Sequence, residues 1–172
     1  RVQRLLGGGH TLAPEYTQAD IRQGQRPNGV TSPDDEDYKE MVSAGFAGYR
    51  LKVTGLVEKP LELSRENLMA MPAQTQITRH DCVEGWSCIA KWTGPRLSKV
   101  LDEAKPKLEA RFVVFHCFDT IEKSLSGSFK YYESIDLIDA YHPQTILAYG
   151  LNDKPLPIEN GAPLRVRVER QL

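Results

Sequence analysis

Hydrophobic and polar positions alternate most cleanly near the two ends of the main segment. Tyr49, Leu51 and Val53 alternate with Arg50, Lys52 and Thr54, and Leu164, Val166 and Val168 alternate with Arg165, Arg167 and Glu169. A period of two is that of a half-buried strand, so both stretches are predicted strands, the first ended by Gly55. Between them Leu97, Val100, Leu101 and Ala104 recur at i, i+3, i+4 and i+7, which predicts an amphipathic helix stopped before Pro106. Ser64 suits a helix N-cap, Glu66 its first turn, and Met71-Pro72 its end, so a short helix is expected there. Residues 74–79 read as a strand that delivers Cys82 at its end, and residues 145–149 as another, after a short helical segment closing at Tyr141-His142-Pro143. Residues 111–117 are apolar on both faces except His116, which predicts a central buried strand with His116 a satisfied core histidine. Residues 119–130, with Ser124, Ser126, Gly127 and Ser128, predict a loop. Sheet predominates, and the class is α+β.

Residues 1–48 lack such periods. They are rich in Gly, Pro, Gln and acids, and read as an N-terminal arm, either solvated or wrapped on a domain spanning 49–172, with a short helix over residues 38–46. At 172 residues the chain is long enough for one domain with a real core, and its 40% hydrophobic and 26% charged residues fit a globular domain. No run reaches the length needed to cross a bilayer, so direct membrane insertion is not expected. A net charge of −1 gives no general attraction to polyanions, which sets nucleic-acid binding aside. Three cysteines cannot all pair, and their spacing resembles no disulfide framework. The first residue is Arg rather than Met, so export is left open.

Chemistry concentrates in Arg79-His80-Asp81-Cys82-Val83-Glu84-Gly85-Trp86-Ser87-Cys88. Arg79, and His80 when protonated, would favour a Cys82 thiolate, the form that ligates metals, whereas Asp81 and Glu84 would oppose it. Gly85 permits a close backbone approach, and Trp86 supplies an apolar wall with one N–H donor. Other readings of Cys82 stay open from spacing alone. It can be a small buried hydrophobe, or a redox partner of Cys88. A nucleophile served by His116 or His142 lacks a local signature, and C-x5-C is not the close pair of a zinc site.

The run Thr78 to Trp92, T-R-H-D-C-V-E-G-W-S-C-I-A-K-W, resembles the cysteine loop of the sulfite oxidase family of molybdopterin enzymes, nearest the bacterial branch that includes the catalytic subunit of periplasmic methionine sulfoxide reductase. The resemblance extends from about Tyr49 to the C-terminus. It implies a sheet-rich sulfite-oxidase-type fold and a molybdenum-molybdopterin cofactor whose sole protein thiolate is Cys82. Asn160-Gly161-Ala162-Pro163-Leu164-Arg165 is similar to the family's pterin-binding segment, which implies cofactor contacts by Asn160 and Arg165. Without that resemblance, the two arginines on one strand face would read as a solvated surface or a phosphate grip. Tyr131-Tyr132-Glu133-Ser134-Ile135 resembles the place of an active-site tyrosine, with Tyr131 the better match by its distance from Ser134 and Tyr132 its rival. Cys117 stands where similar enzymes have a cofactor-contacting threonine. Asn28, in Pro27-Asn28-Gly29, is the candidate for an N-terminal asparagine near the pterin.

The family continues beyond Arg-Gln-Leu at 170–172 into a Gly-aromatic-Lys segment that binds the pterin phosphate, so the resemblance implies a phosphate site only partly carried by these residues. It also implies transfer of an oxygen atom to or from a small substrate, sulfite or a sulfoxide-like compound. No haem-binding stretch is fused here, so electrons are expected to pass to a separate cytochrome-type protein or membrane haem subunit. A periplasmic location is expected by the same resemblance. The alternatives are a non-catalytic module of the same fold and a thiol redox protein using Cys82 and Cys88.

Overall fold

The computed structural model describes residues 11–22, 24–27, 29, 31–82, 84–124 and 127–170, with the backbone alone for residues 121–124, 127 and 128. Asp35 caps helix α1 (Glu36–Ser43): its side chain accepts from the Tyr38 amide at 3.0 Å, satisfying a donor the first helical turn leaves open. Strands β1 (Arg50–Val53) and β2 (Leu61–Ser64) pair antiparallel, and β2 runs straight into α2 (Arg65–Ala70). There the Ser64 hydroxyl accepts from the Asn67 amide at 3.2 Å, while Asn67 Oδ1 accepts from the Ser64 amide at 2.9 Å. Pro72 follows and disfavours a further turn of helix at Met71.

The long hairpin of β3 (Ala73–Cys82) and β4 (Trp86–Pro95) comes next, paired from Ala73 opposite Pro95 to Cys82 opposite Trp86. Helix α3 (Leu97–Ala104) buries Leu97, Val100, Leu101 and Ala104, the stripe its sequence period predicts. Strands β5 (Phe112–Ser124) and β6 (Gly127–Asp136) form a separate antiparallel ribbon, followed by one helical turn, α4 (Leu137–Ala140). Strands β7 (Thr145–Ala148), β8 (Gly150–Leu151), β9 (Lys154–Pro155) and β10 (Arg165–Val168) complete the described chain. The largest sheet has the order β3-β4-β8-β9, and β10 pairs antiparallel with β7.

One core gathers α3, Leu61, Leu63, Leu68, Ile135 and Leu147, and a second sets Ala90 and Trp92 of β4 against Ile146, Ala148, Leu151 and Leu156. Gly94 lets β4 come this close to β7, because a Cβ there would lie 2.0 Å from the Leu147 carbonyl oxygen. That approach carries β10, paired to β7, up to the inner face of the hairpin. The arm is bonded to the hairpin's backbone and to Gln144, just before β7. The Tyr16 amide donates to the Ile77 carbonyl at 2.9 Å and the Arg22 amide to the Ile89 carbonyl at 3.1 Å. Gln144 accepts from the Ala13 amide at 2.7 Å and donates back to its carbonyl at 3.0 Å.

Three expectations are corrected. Residues 111–117 do not form a central strand: β5 has a ladder partner on one edge, and Phe112 and Val114 are 66% and 48% exposed. The loop expected over residues 119–130 is strand wherever it is described: β5 runs to Ser124 and β6 starts at Gly127, with Ser124 opposite Gly127 and Lys123 opposite Ser128, so the Ser and Gly residues are held by the ladder. His116 is exposed, with its ring 6.4 Å from that of Tyr132, rather than a satisfied core histidine.

Candidate functional site

Cys82 is half-buried at the tip of β3, the last residue before the three-residue connection to β4. Gly85 takes φ +82° there, the left-handed position such a connection needs, and its amide donates to the Cys82 carbonyl at 2.9 Å. Trp86 Nε1 donates to Glu84 at 2.8 Å, Arg26 lies over the Trp86 ring at 5.3 Å, and the His80 ring meets Trp86 edge-on at 5.6 Å. Alternate residues of a strand share a face, so Gln76, Thr78, His80 and Cys82 point the same way, as do their partners Trp92, Ala90, Cys88 and Trp86.

Onto this face β10 sets two cations. Arg167 stacks on Trp92 at 4.6 Å and Arg165 at 5.3 Å. Arg167 is 6% exposed; it holds Glu169 through Nη2 at 2.7 Å and Nε at 3.2 Å, while Nη1 lies 2.8 Å from His80 Nδ1. Gln76 donates to Glu169 at 2.8 Å and closes the network. Arg165 Nη1 donates to the Asn160 carbonyl at 3.1 Å, and Asn160 itself is buried in a 3₁₀ turn, Ile158–Asn160. Burial, helped by Arg167, pushes the Arg165 pKa down to about 10, with Cys88, Glu169 and Cys82 pulling the other way. Burial, with Arg167 and Arg165 adding to it, pushes His80 down to about 4 against the pull of Asp81, so the imidazole is neutral at physiological pH. Arg79 instead pairs with Asp81 at 3.0 Å on the opposite face. The cations facing Cys82 therefore come from β10, not from its neighbours in sequence.

A molybdopterin group fits these residues. Thr78 Oγ1, His80 Nε2 and Trp92 Nε1 are buried without a hydrogen-bond partner among the described residues, all on the face that carries Cys82. Leaving each unpaired costs about 1–3 kcal/mol, which a polar heterocycle can relieve. Among the described residues no three of His, Cys, Asp and Glu gather as a metal cage; the soft donors of this face are the Cys82 and Cys88 sulfurs, with Cys82 the more exposed of the two.

The structure brings Cys82, Asn160 and Arg165 together, joined through Arg165. Tyr131 and Cys117 lie on the β5–β6 ribbon, a different sheet. They meet at the register shift between His116 and Thr120, where the Tyr131 hydroxyl bonds Glu133 at 3.3 Å. Burial raises the Tyr131 pKa, with Glu133, Cys117 and Asp119 adding to it, and burial likewise raises that of Cys117, with Asp119 and Glu133 adding. Tyr132 is 62% exposed. Asn28 lies outside the described residues. Sequence reasoning missed the Trp92 platform and the Glu169–Gln76 support. It also missed Tyr38, whose buried hydroxyl donates to the Ala162 carbonyl at 2.7 Å and ties α1 to the loop between Asn160 and Arg165. The one available signal was the run of polar residues at every second position from Gln74 to His80.

Comparison with known proteins places this arrangement. The sequence profile of the oxidoreductase molybdopterin binding domain matches residues 39–172. The subunit named YedZ1 of Azospira oryzae is 35% identical over 171 residues, 99% of this chain and 60% of that protein. The protein-methionine-sulfoxide reductase catalytic subunit MsrP of Campylobacter jejuni is 36% identical over 129 residues, 70% of this chain and 43% of its own. That of Xanthomonas campestris is 40% identical over 126 residues, covering 70% and 39%. Among solved structures, the sulfane dehydrogenase SoxCD from Paracoccus pantotrophus superposes with a TM-score of 0.59 at 25% identity, over 71% of this chain and 34% of that one. The chain thus spans about two fifths to three fifths of the relatives it matches. With the profile covering most of its length, this chain belongs to the oxidoreductase molybdopterin-binding domain family, the sulfite oxidase family.

Proposed function

We propose that the chain is the cofactor-binding part of a molybdenum oxidoreductase that moves an oxygen atom to or from a sulfur compound. The observation that carries this reading is the pair of arginines on β10, Arg167 buried and Arg165 half-buried, stacked on Trp92 in the hairpin whose other strand ends in Cys82. Glu169 already pairs with Arg167, and an anionic group along the hairpin would give the Arg165 guanidinium a further charge-assisted contact. When bound, the cofactor supplies two-electron oxygen-atom transfer. Cys82 gives the metal its protein thiolate, Arg165 and Asn160 hold the pterin side, and Asn28 and Cys117 are further cofactor contacts. Tyr131 presents a phenol that, kept protonated by its raised pKa, donates a hydrogen bond to substrate.

The sulfur-centred substrate follows the names of the relatives, which concern methionine sulfoxide and sulfane. Relatives named as catalytic subunits support a separate redox subunit, a cytochrome-type or membrane haem protein, as electron partner. Among the described residues no helix is long and apolar enough to cross a membrane. We assign the protein to the periplasm on its resemblance to the branch of periplasmic methionine sulfoxide reductases. A thiol redox protein is the weaker reading, because burial raises the Cys88 pKa and keeps it a thiol. Full-length protein purified from a molybdenum-replete host should carry molybdenum and a visible thiolate-to-metal band, both lost in Cys82→Ser. Wild-type protein without molybdenum would overturn the assignment, and a reversible Cys82–Cys88 disulfide in its place would establish the thiol reading.

A further inference from the structure

We propose that His80 contacts the bound cofactor, donating from Nε2 to an acceptor atom of the pterin; the inference rests on the reading of Cys82 and Arg165 just given. The tautomer follows from its partner. Arg167 Nη1 lies 2.8 Å from His80 Nδ1, and a guanidinium has donors only, so Nδ1 accepts and the ring proton of the neutral imidazole sits on Nε2. Edge-on contact with Trp86 at 5.6 Å fixes the ring from the other side. The Nε2–H is nonetheless buried and bonds nothing among the described residues. A buried donor that has lost water and gained no acceptor is unfavourable, which points to an acceptor that arrives with a ligand.

Its place on the strand says which ligand. His80 stands two residues before Cys82 and two after Thr78, whose buried Oγ1 also lacks a partner among the described residues, so the three share one face of β3. At ~3.3 Å per residue the row from Thr78 to Cys82 spans roughly 13 Å, enough for a fused heterocycle lying along the strand. Trp92 Nε1, on the same face of β4, is a third unpartnered polar atom. An apolar occupant would leave all three unpaired, and a small exchanging substrate would reach only one. A pterin ring, rich in nitrogen and oxygen acceptors, matches the row. His80 is thus one end of a relay of fixed orientations: Glu169 holds Arg167, Arg167 sets the imidazole, and the imidazole presents one donor.

The test compares full-length wild type, His80→Phe and His80→Gln from a molybdenum-replete host. It measures molybdenum and released pterin per chain, the rate of cofactor loss, and thermal unfolding of the metal-free forms. Phe keeps a ring against Trp86 but has no donor, and Arg167 retains its bonds to Glu169. His80→Phe should lose cofactor about tenfold faster, the scale of one hydrogen bond. His80→Gln, whose amide donates from a similar position, should return within about threefold of wild type. Metal-free His80→Phe, which also takes the acceptor from Arg167 Nη1, should unfold somewhat below wild type, and metal-free His80→Gln, whose carbonyl can take that bond, close to it. Equal cofactor retention in wild type and His80→Phe overturns the inference, since water would then be the acceptor. So does a His80→Gln that regains metal-free stability without regaining cofactor retention. Cofactor-loaded wild type beside an unaltered His80→Phe removes only the role of His80. Wild type without molybdenum or pterin removes the functional reading and this inference with it.

Discussion

The β3–β4 hairpin and the β5–β6 ribbon are both long antiparallel pairs, and they invert each other's burial. On the hairpin's inner face Gln76 and Thr78 are each 1% exposed, whereas on the ribbon Phe112, Phe129 and Tyr132 stand mostly in water. Burying polar groups costs free energy unless they are paired, and exposing rings forfeits about 25 cal/mol per Å² of apolar surface. Neither pattern would be chosen for stability alone. The hairpin can keep a polar interior because β10 arrives with Arg167 and Glu169 to complete its bonds. The ribbon is held mainly along one side, where Ile135 is buried and Val113 and Phe115 pack beside it on the core around α3. The difference locates stability in a charged network on one side and in a few apolar side chains on the other.

The sharpest test is Arg167→Met. Its guanidinium pairs with a Glu169 side chain that is 1% exposed, so removal leaves a buried carboxylate with Gln76 as its remaining partner among the described residues. Urea unfolding of the metal-free protein should show a loss of about 3–5 kcal/mol. A loss below about 1 kcal/mol would mean that water reaches Glu169, and the contrast between the regions would collapse. Next comes Ile135→Ala, the ribbon position that behaves as core at 4% exposure. It should cost about 3 kcal/mol in the same measurement, and a neutral result would show that the ribbon is not anchored there. The smallest effect belongs to Phe129→Ser, at a ring 57% exposed, which should move stability by no more than about 0.5 kcal/mol. A clear fall in unfolding temperature would reveal that this ring is packed.

These regions were unequally legible in the sequence, for physical reasons. Helix α3 could be read directly, because its burial follows from a local period. Strand β3 could not be oriented: Gln74, Gln76, Thr78 and His80 alternate with Thr75, Ile77, Arg79 and Asp81, and neither set is apolar. Which side faces inward is decided by Arg167 and Glu169, distant in the chain. Cys82 was found through its motif, but its electrostatic setting was not, since Arg79 turns away to Asp81 while Arg165 arrives on another strand. The ribbon misled because apolar residues on both faces report hydrophobicity, not the presence of neighbours to cover it.

The bonded arm has a consequence beyond holding the hairpin. Strand β3 is one edge of its sheet, and an edge strand offers its backbone to any extended chain that drifts past. Here the Ile77 carbonyl is already taken by the Tyr16 amide, and the Ile89 carbonyl of β4 by the Arg22 amide and the Gln25 side chain. A second molecule seeking to lengthen the sheet finds those acceptors spent. The segment least patterned in sequence thus occupies part of the edge that an added strand would use.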